Sequence, residues 1–402
     1  MSMSSLLIAL VGVVALVSSE AALGETGAAP QPTLALRLRR IRKLRENAFY
    51  GDIIPYQGAL LVAFRDSTTH EGPGGKVTIL RSTDEGETWK QNATLEAQGA
   101  SLFDPHFCIL ADGRLLLHGG IRSNQGGSWG SYVAFASDRL EWSEPKRILE
   151  KDQWLWRLTP HSDGHAYGVV YGCPPGQKGS KLLKTKDGLS YERVADLLAA
   201  NYPNEATIRF EPDGSACVVH RHEESGGHAL LGTSKPPYTE WTWKDLGRFI
   251  GGPNLLHLPS GQWLVGGRCI EKPVRLQLGQ LDVAQGRYTP VLDLPSGGDC
   301  SYPGFLLHRN RLWVTYYSSH EGATSLYLAE VDLVAPATSQ RGLEQTDVFL
   351  SGTDGCHTYR IPALAVTRKG TVLAFCEGRR KGQGDAGDID IVLKRSADGG
   401  KT

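Results

Sequence analysis

Short apolar runs alternate with polar turns along most of the chain. ALLVAF, RLLLHGG, AYGVVYG and RLWVTYY are each bounded by Gly, Asp or Pro, and apolar runs of this length framed by turn formers predict strands. No long amphipathic helix repeat is present. The runs come in pairs about a turn: PYQG-ALLVAF, ILADG-RLLLHG, PHSDG-HAYGVVYG, RFEPDG-SACVVH, HLPSG-QWLVGG and LLHRN-RLWVTYY. The turn residues Gly58, Gly113, Gly164, Gly214, Gly261 and Asn310 recur at spacings of 55, 51, 50, 47 and 49. Six recurrences near fifty residues, each with room for about four strands, describe the blade of a β-propeller. The expected fold is all-β, a six-bladed β-propeller over residues 45–333.

Hairpin geometry then nominates a site. A strand rises about 3.3 Å per residue and its partner runs back, so residues some seven to nine before a turn and seven after it share one end of the blade. The first position collects Asp52, Asp104, Arg157, Glu205, Asn254 and Tyr302, and the second collects Arg65, Gly120, Tyr171, Arg221, Arg268 and Tyr317. Glu205 and Arg221 are expected to meet. If the early strand of each blade is innermost, these polar groups converge on the axis, where buried charges require partners or a charged ligand.

Composition adds boundaries. The 402 residues carry 43 basic and 43 acidic side chains, a balance that gives no net field for nucleic acid or anionic lipid. The only basic run, LRLRRIRKLRE at 36–46, reads as a solvated lead-in helix or linker. SLLIALVGVVALVSS at 5–19 reads as a signal peptide over 1–22, with an uncleaved membrane anchor as the alternative, and directs the protein to a secreted, periplasmic or cell-surface location. Seven Cys form no CxxC pair, so no metal site and no cofactor is expected.

STDEGETW at 82–89 carries the Asp-box pattern, with Ser82, Asp84, Gly86, Thr88 and Trp89 in place; SDRLEW (137–142), TKDGLSY (185–191) and SADGGKT (396–402) are degraded copies. With this motif, residues 45–333 resemble the sialidase superfamily, especially bacterial secreted sialidase-like proteins. The resemblance implies that Tyr302 is a nucleophile, Glu205 its base, and Arg221 and Arg268 part of a clamp for a substrate carboxylate. A Tyr in place of an anionic nucleophile suits a sugar whose anomeric carbon bears its own carboxylate, and arginines bind carboxylates in bidentate fashion.

Two family positions differ. The first clamp Arg is absent, with Asp52 in its place, and the acid/base Asp is not evident in the loop RDSTTHEGPGGK. Asp66, His70 or Glu71 can deliver a proton there, and Arg65 can replace the clamp charge. Asp52, Asp104 and Arg157 complete the expected substrate-binding set. After a linker at 334–355, TYRIPALAV restarts the pattern, with Arg360 matching the missing clamp residue and Asp385 the missing acid. Residues 356–402 are therefore expected to begin a second, truncated propeller; the alternative is a seventh blade that closes one ring. The expected activity is exo-glycoside hydrolysis of an acidic sugar, sialic acid or a relative, from a glycan or glycoconjugate. The alternative is a carbohydrate-binding propeller without turnover.

Overall fold

In the computed structural model the described residues are 36–44, 49–68, 70, 72–173, 179–199, 202–223, 227–333, 347–367, 370–398 and 400. The expected signal peptide, Glu71 and most of the expected linker lie outside them. The chain divides into two compact units, Met1–Val334 and Ala335–Thr402.

The larger unit holds six four-stranded antiparallel sheets among the described residues. Their innermost strands are Phe49–Tyr56, Ala100–Ile109, Gln153–Pro160, Pro203–Phe210, Gly251–His257 and Cys300–His308, hereafter the inner strands of blades 1 to 6. Each touches the next, and that of blade 6 returns to blade 1, so the ring closes. The recurrent turns occupy the left-handed region, φ +86° at Gly214 and +59° at Asn310, where a residue without Cβ or an Asn is tolerated.

Apolar side chains fill every gap between neighbouring blades. Leu61, Val77, Leu102 and Leu115 pack between blades 1 and 2, and Val62, Phe64, Trp313 and Leu328 between blades 6 and 1. Each sheet buries both faces, which explains why its middle strands read as unbroken apolar runs.

Blade 6 takes its outermost strand from the N-terminal side. Leu36–Lys43 pairs antiparallel with Ser325–Asp332, so 36–43, expected as a lead-in helix or linker, is a strand of the propeller. Leu36 and Leu38 pack against the blade 5–6 core and Ile41 against the blade 6–1 core. Between them Arg39 pairs with Glu87, 3.0 Å away, and with the buried Glu330. Interleaved arginines conceal this alternation in the sequence.

At the outer turn of blade 1 the Gly86 N–H donates to Ser82 Oγ at 2.8 Å and the Thr88 N–H to Asp84 Oδ1 at 2.9 Å. The Trp89 indole closes the turn on the Gly86 carbonyl at 3.1 Å. The hydroxyls of Ser137, Thr185 and Ser396 accept backbone N–H groups in the corresponding loops. These turns are structural ties.

The smaller unit is one three-stranded sheet, Thr358–Val366, Val372–Arg379 and Ile389–Ser396. Residues 347–355, expected in the linker, belong to it: Phe349 meets Tyr359 at 5.2 Å between ring centres, and the Gly352 N–H donates to the Cys356 carbonyl. Leu364, Val366 and Ile391 remain exposed.

Candidate active site

A repeated irregularity aims the site residues. In all six inner strands the pairing with the second strand slips, between Phe103 and His106, Leu155 and Leu158, Pro203 and Ala206, Gly251 and Asn254, Ser301 and Gly304, and Phe49 and Gly51. Such bulges redirect side chains that regular alternation would send into the sheet faces. Asp104, Arg157, Glu205, Gly252 and Tyr302 lie within these slips. Tyr302 holds φ +57° and Asp104 φ +46°, conformations that cost a non-glycine residue about 1–3 kcal/mol and that cluster at functional sites.

Glu205 is the hub. Its carboxylate accepts the Tyr302 hydroxyl at 2.6 Å, Arg221 Nη1 at 2.7 Å and the Gly252 N–H at 2.8 Å. Tyr302 and Glu205 are 5% and 6% exposed. Three donors offset the cost of desolvating the carboxylate. Burial and then the adjacent Glu205 push the Tyr302 hydroxyl well above its ordinary value, while Arg221 and Arg268 pull it down. Burial opposes the charge of Arg221, but Glu205, Tyr302 and Glu223 hold its guanidinium protonated. Glu223 lies 2.5 Å from Arg221 Nη2.

Above this hub lies a hollow of about 250 Å³, lined by Glu205, Arg221, Asn204, Asp104 and His70 on its polar side. Its apolar side is Phe103, Trp129, Trp154 and Tyr171. Trp129 and Trp154 stand 5.3 Å apart, and the Trp154 indole donates to Asp104 at 3.1 Å. Aromatic faces beside convergent polar groups suit a sugar ring. Behind Glu205 the Tyr302 ring is stacked on Tyr317 at 6.1 Å and 18°.

Arg268 stands next to this hub, its charge favoured by Tyr302 and Tyr317 against the opposing effect of burial. It donates to Asp299 at 3.2 Å, and the Tyr317 hydroxyl donates to the same oxygen at 3.0 Å.

Several nominated residues lie elsewhere. Asp52 accepts Arg157 Nη1 at 2.7 Å and the Phe107 N–H at 2.9 Å, and Arg157 also donates to the Pro303 carbonyl at 3.0 Å. This buried pair ties blades 1, 2, 3 and 6 at the axis, and neither residue lines the hollow. Arg65 is fully buried, its guanidinium 4.2 Å from the Phe103 ring centre and bonded to the Leu102 carbonyl. Gly75 packs against its guanidinium, and Arg65 is not among the residues that line the hollow. Asp66 ends its strand opposite Lys76, outside the hollow. His70 alone of the three proposed proton donors is described there.

In the smaller unit Arg360 and Arg379 share Asp385 at 2.8 and 2.7 Å. All seven cysteines are free thiols. Among the described residues no group of three or more His, Cys, Asp and Glu is arranged to hold a metal ion.

No protein-family model matches the chain. Short segments are similar to sialidases. An exo-alpha-sialidase of Arthroderma benhamiae is 50% identical over 50 residues, 12% of this chain and 12% of that protein. A sialidase of Micromonospora viridifaciens is 43% identical over 58 residues, 14% of this chain and 9% of that one. The matches thus span about a tenth of those relatives. Among solved structures, a Dyadobacter fermentans protein of unknown function superposes with TM-score 0.64 at 19% identity, over 73% of this chain and 99% of that one. A Trypanosoma rangeli sialidase in complex with the inhibitor DANA superposes with TM-score 0.58 at 14% identity, over 75% of this chain and 60% of that one.

The fold is sialidase-like. Of the residues nominated from the sequence, Glu205, Arg221, Asp104 and His70 line the hollow, while Tyr302 bonds Glu205 and Arg268 bonds Asp299 outside its lining; Asp299, Glu223 and the tryptophan wall were not nominated. The polar GGDC turn just before Tyr302 was the available signal for Asp299, since it places a charge beside the strand end that carries Tyr302.

Proposed function

We propose that the larger unit is a retaining glycoside hydrolase of sialidase type that acts on glycosides of an acidic sugar. The observation that carries this reading is the buried Tyr302–Glu205 contact of 2.6 Å with Arg221 on the same carboxylate. Tyr302 is neutral at rest, so attack requires that its proton pass to Glu205 as the oxygen closes on the anomeric carbon. Arg221 and Arg268 stabilise the phenolate oxygen as charge develops and supply cations for a substrate carboxylate. His70, on the hollow wall, is the candidate proton donor to the leaving oxygen. The Trypanosoma rangeli sialidase is known in complex with sialic acid, and a sialoside is accordingly the first substrate to test.

A fluorogenic sialoside and a matching uronoside, offered to the full chain, provide the assay. Turnover should appear with at least one of them and fall by about 10³-fold or more in Tyr302→Phe, since the nucleophile is lost. Turnover that survives this change would refute the assignment. The second reading, a carbohydrate-binding propeller without turnover, is favoured by Asp52 at the first clamp position and by the lack of a carboxylic acid from the Asp66 loop among the described lining residues. It predicts sugar binding that Arg221→Ala abolishes, with no hydrolysis.

A further inference from the structure

Two Tyr–carboxylate–Arg sets stand side by side at the axis. In one, Glu205 holds Tyr302 and Arg221; in the other, Asp299 holds Tyr317 and Arg268. Their tyrosine rings stack at 6.1 Å. The two carboxylates differ in how firmly they are held. Glu205 is 6% exposed and takes three donors. Asp299 is more than a third exposed, and its bond to Arg268, at 3.2 Å, is longer than the 2.7 Å bond between Glu205 and Arg221. Its backbone is fixed, because the Asp299 carbonyl accepts both the Ser319 N–H at 3.0 Å and the Ser319 hydroxyl at 3.2 Å. The side chain can therefore leave Arg268 by rotation about χ1 without moving the chain.

We propose that Asp299 occupies the carboxylate seat of Arg268 and sets specificity, as an internal competitor that a ligand carboxylate must displace. This rests on the reading of Arg268 as a clamp residue. An uncharged ligand cannot compensate Arg268 for the loss of Asp299, whereas a carboxylate replaces it like for like, so the seat discriminates between them. Solvent exposure explains why the competitor is weak: a partly exposed ion pair contributes little, and an incoming bidentate carboxylate can do better.

Calorimetric titration of the full chain with N-acetylneuraminic acid and with its methyl ester tests the idea. Asp299→Ala should bind the acid about two- to fivefold more tightly than the unaltered protein, the effect of releasing one partly exposed ion pair, and should gain nothing for the ester. Asp299→Asn, which keeps the shape and the bonds to Ser319, should show a smaller gain of the same sign. Equal or weaker binding of the acid by both variants, or an equal gain for acid and ester, would overturn the proposal. Failure of the hydrolase reading is separable: absence of turnover with a gain in acid binding removes the enzyme and keeps Asp299, and turnover without that gain does the reverse.

Discussion

The inner strand of blade 1 and the first strand of the smaller unit follow one pattern, GDIIPY and YRIPAL, and both slip register beside the charged residue. Their charges have opposite signs and opposite surroundings. Asp52 is buried between blades, where it accepts Arg157 and a backbone N–H. Arg360 is about half exposed on a sheet whose apolar residues Leu364, Val366 and Ile391 are also uncovered, and it reaches an exposed Asp385. The contrast teaches that a charged strand residue becomes a structural tie or a solvated ion pair according to whether a neighbouring blade covers it. Asp52 was nominated as a ligand group, yet closure of the ring made it a strut.

The largest expected effect follows from that contrast. Asp52→Ala leaves Arg157 buried without its counter-ion, and breaking a buried pair in this way costs about 3–5 kcal/mol. A urea titration followed by tryptophan fluorescence measures it cleanly, because all nine Trp lie in the larger unit. A loss below about 1 kcal/mol would mean that Arg157 is held by other partners, and the strut description would fail. Double replacement, Asp52→Leu with Arg157→Met, should recover much of the loss, since an apolar pair of similar volume removes the unpaired charge.

How much of this was readable from the chain depends on range. The paired runs about Gly58 through Asn310 made the blades legible, since each hairpin is local and its turn residue has a fixed conformational demand. For the same reason the meeting of Glu205 with Arg221 was legible across 16 residues. Arg65 occupies the corresponding position in blade 1 and does not reach the hollow. Its fate depends on Gly75 and Phe103, contacts that hairpin counting does not see. The slips that turn Tyr302 and Asp104 inward were also hidden, because a bulge inserts one residue against the partner strand and no residue type announces it when the residue is Tyr or Asp. The Leu36–Lys43 strand was missed because its partner lies about 290 residues away and its arginines mask two alternating leucines. Asp299 lay in a turn, where an Asp is ordinary.

Acid should weaken the larger unit. His106, His118 and His220 are buried in the larger unit, and desolvation lowers all three, His118 and His220 to about 3. His118 Nε2 accepts the Leu158 N–H at 3.3 Å, a bond that only the neutral ring can make. A folded-state value depressed below the unfolded 6.5 means that the unfolded chain binds more protons between these limits. The resulting stability is therefore complete above about pH 6.5 and is lost as pH falls towards 3. The urea midpoint read by tryptophan fluorescence should decline through that window, and His118→Gln should flatten the decline after an initial loss at neutral pH. An unchanged slope in this variant would show that His118 titrates normally.

The smallest effect belongs to the exposed pair. Arg360 and Arg379 both bond Asp385, and these contacts hold the Asp385 carboxylate below its ordinary value, chiefly through the Arg379 hydrogen bond. A solvent-exposed carboxylate of this kind adds little to stability, because salt and water screen its pair with Arg360 and the buried Arg379 keeps Glu377 at 2.6 Å. Asp385→Asn should leave the thermal midpoint of the smaller unit within experimental error of the unaltered chain at 0.15 M salt. It should instead alter the 383–388 turn, where Arg379 also bonds the carbonyls of Gln383 and Gly384. Backbone amide exchange in that turn is the sensitive measure. If the same substitution unfolds the sheet, Asp385 is a strut after all, and the distinction drawn between the covered charge of blade 1 and the uncovered charge of the smaller unit is wrong.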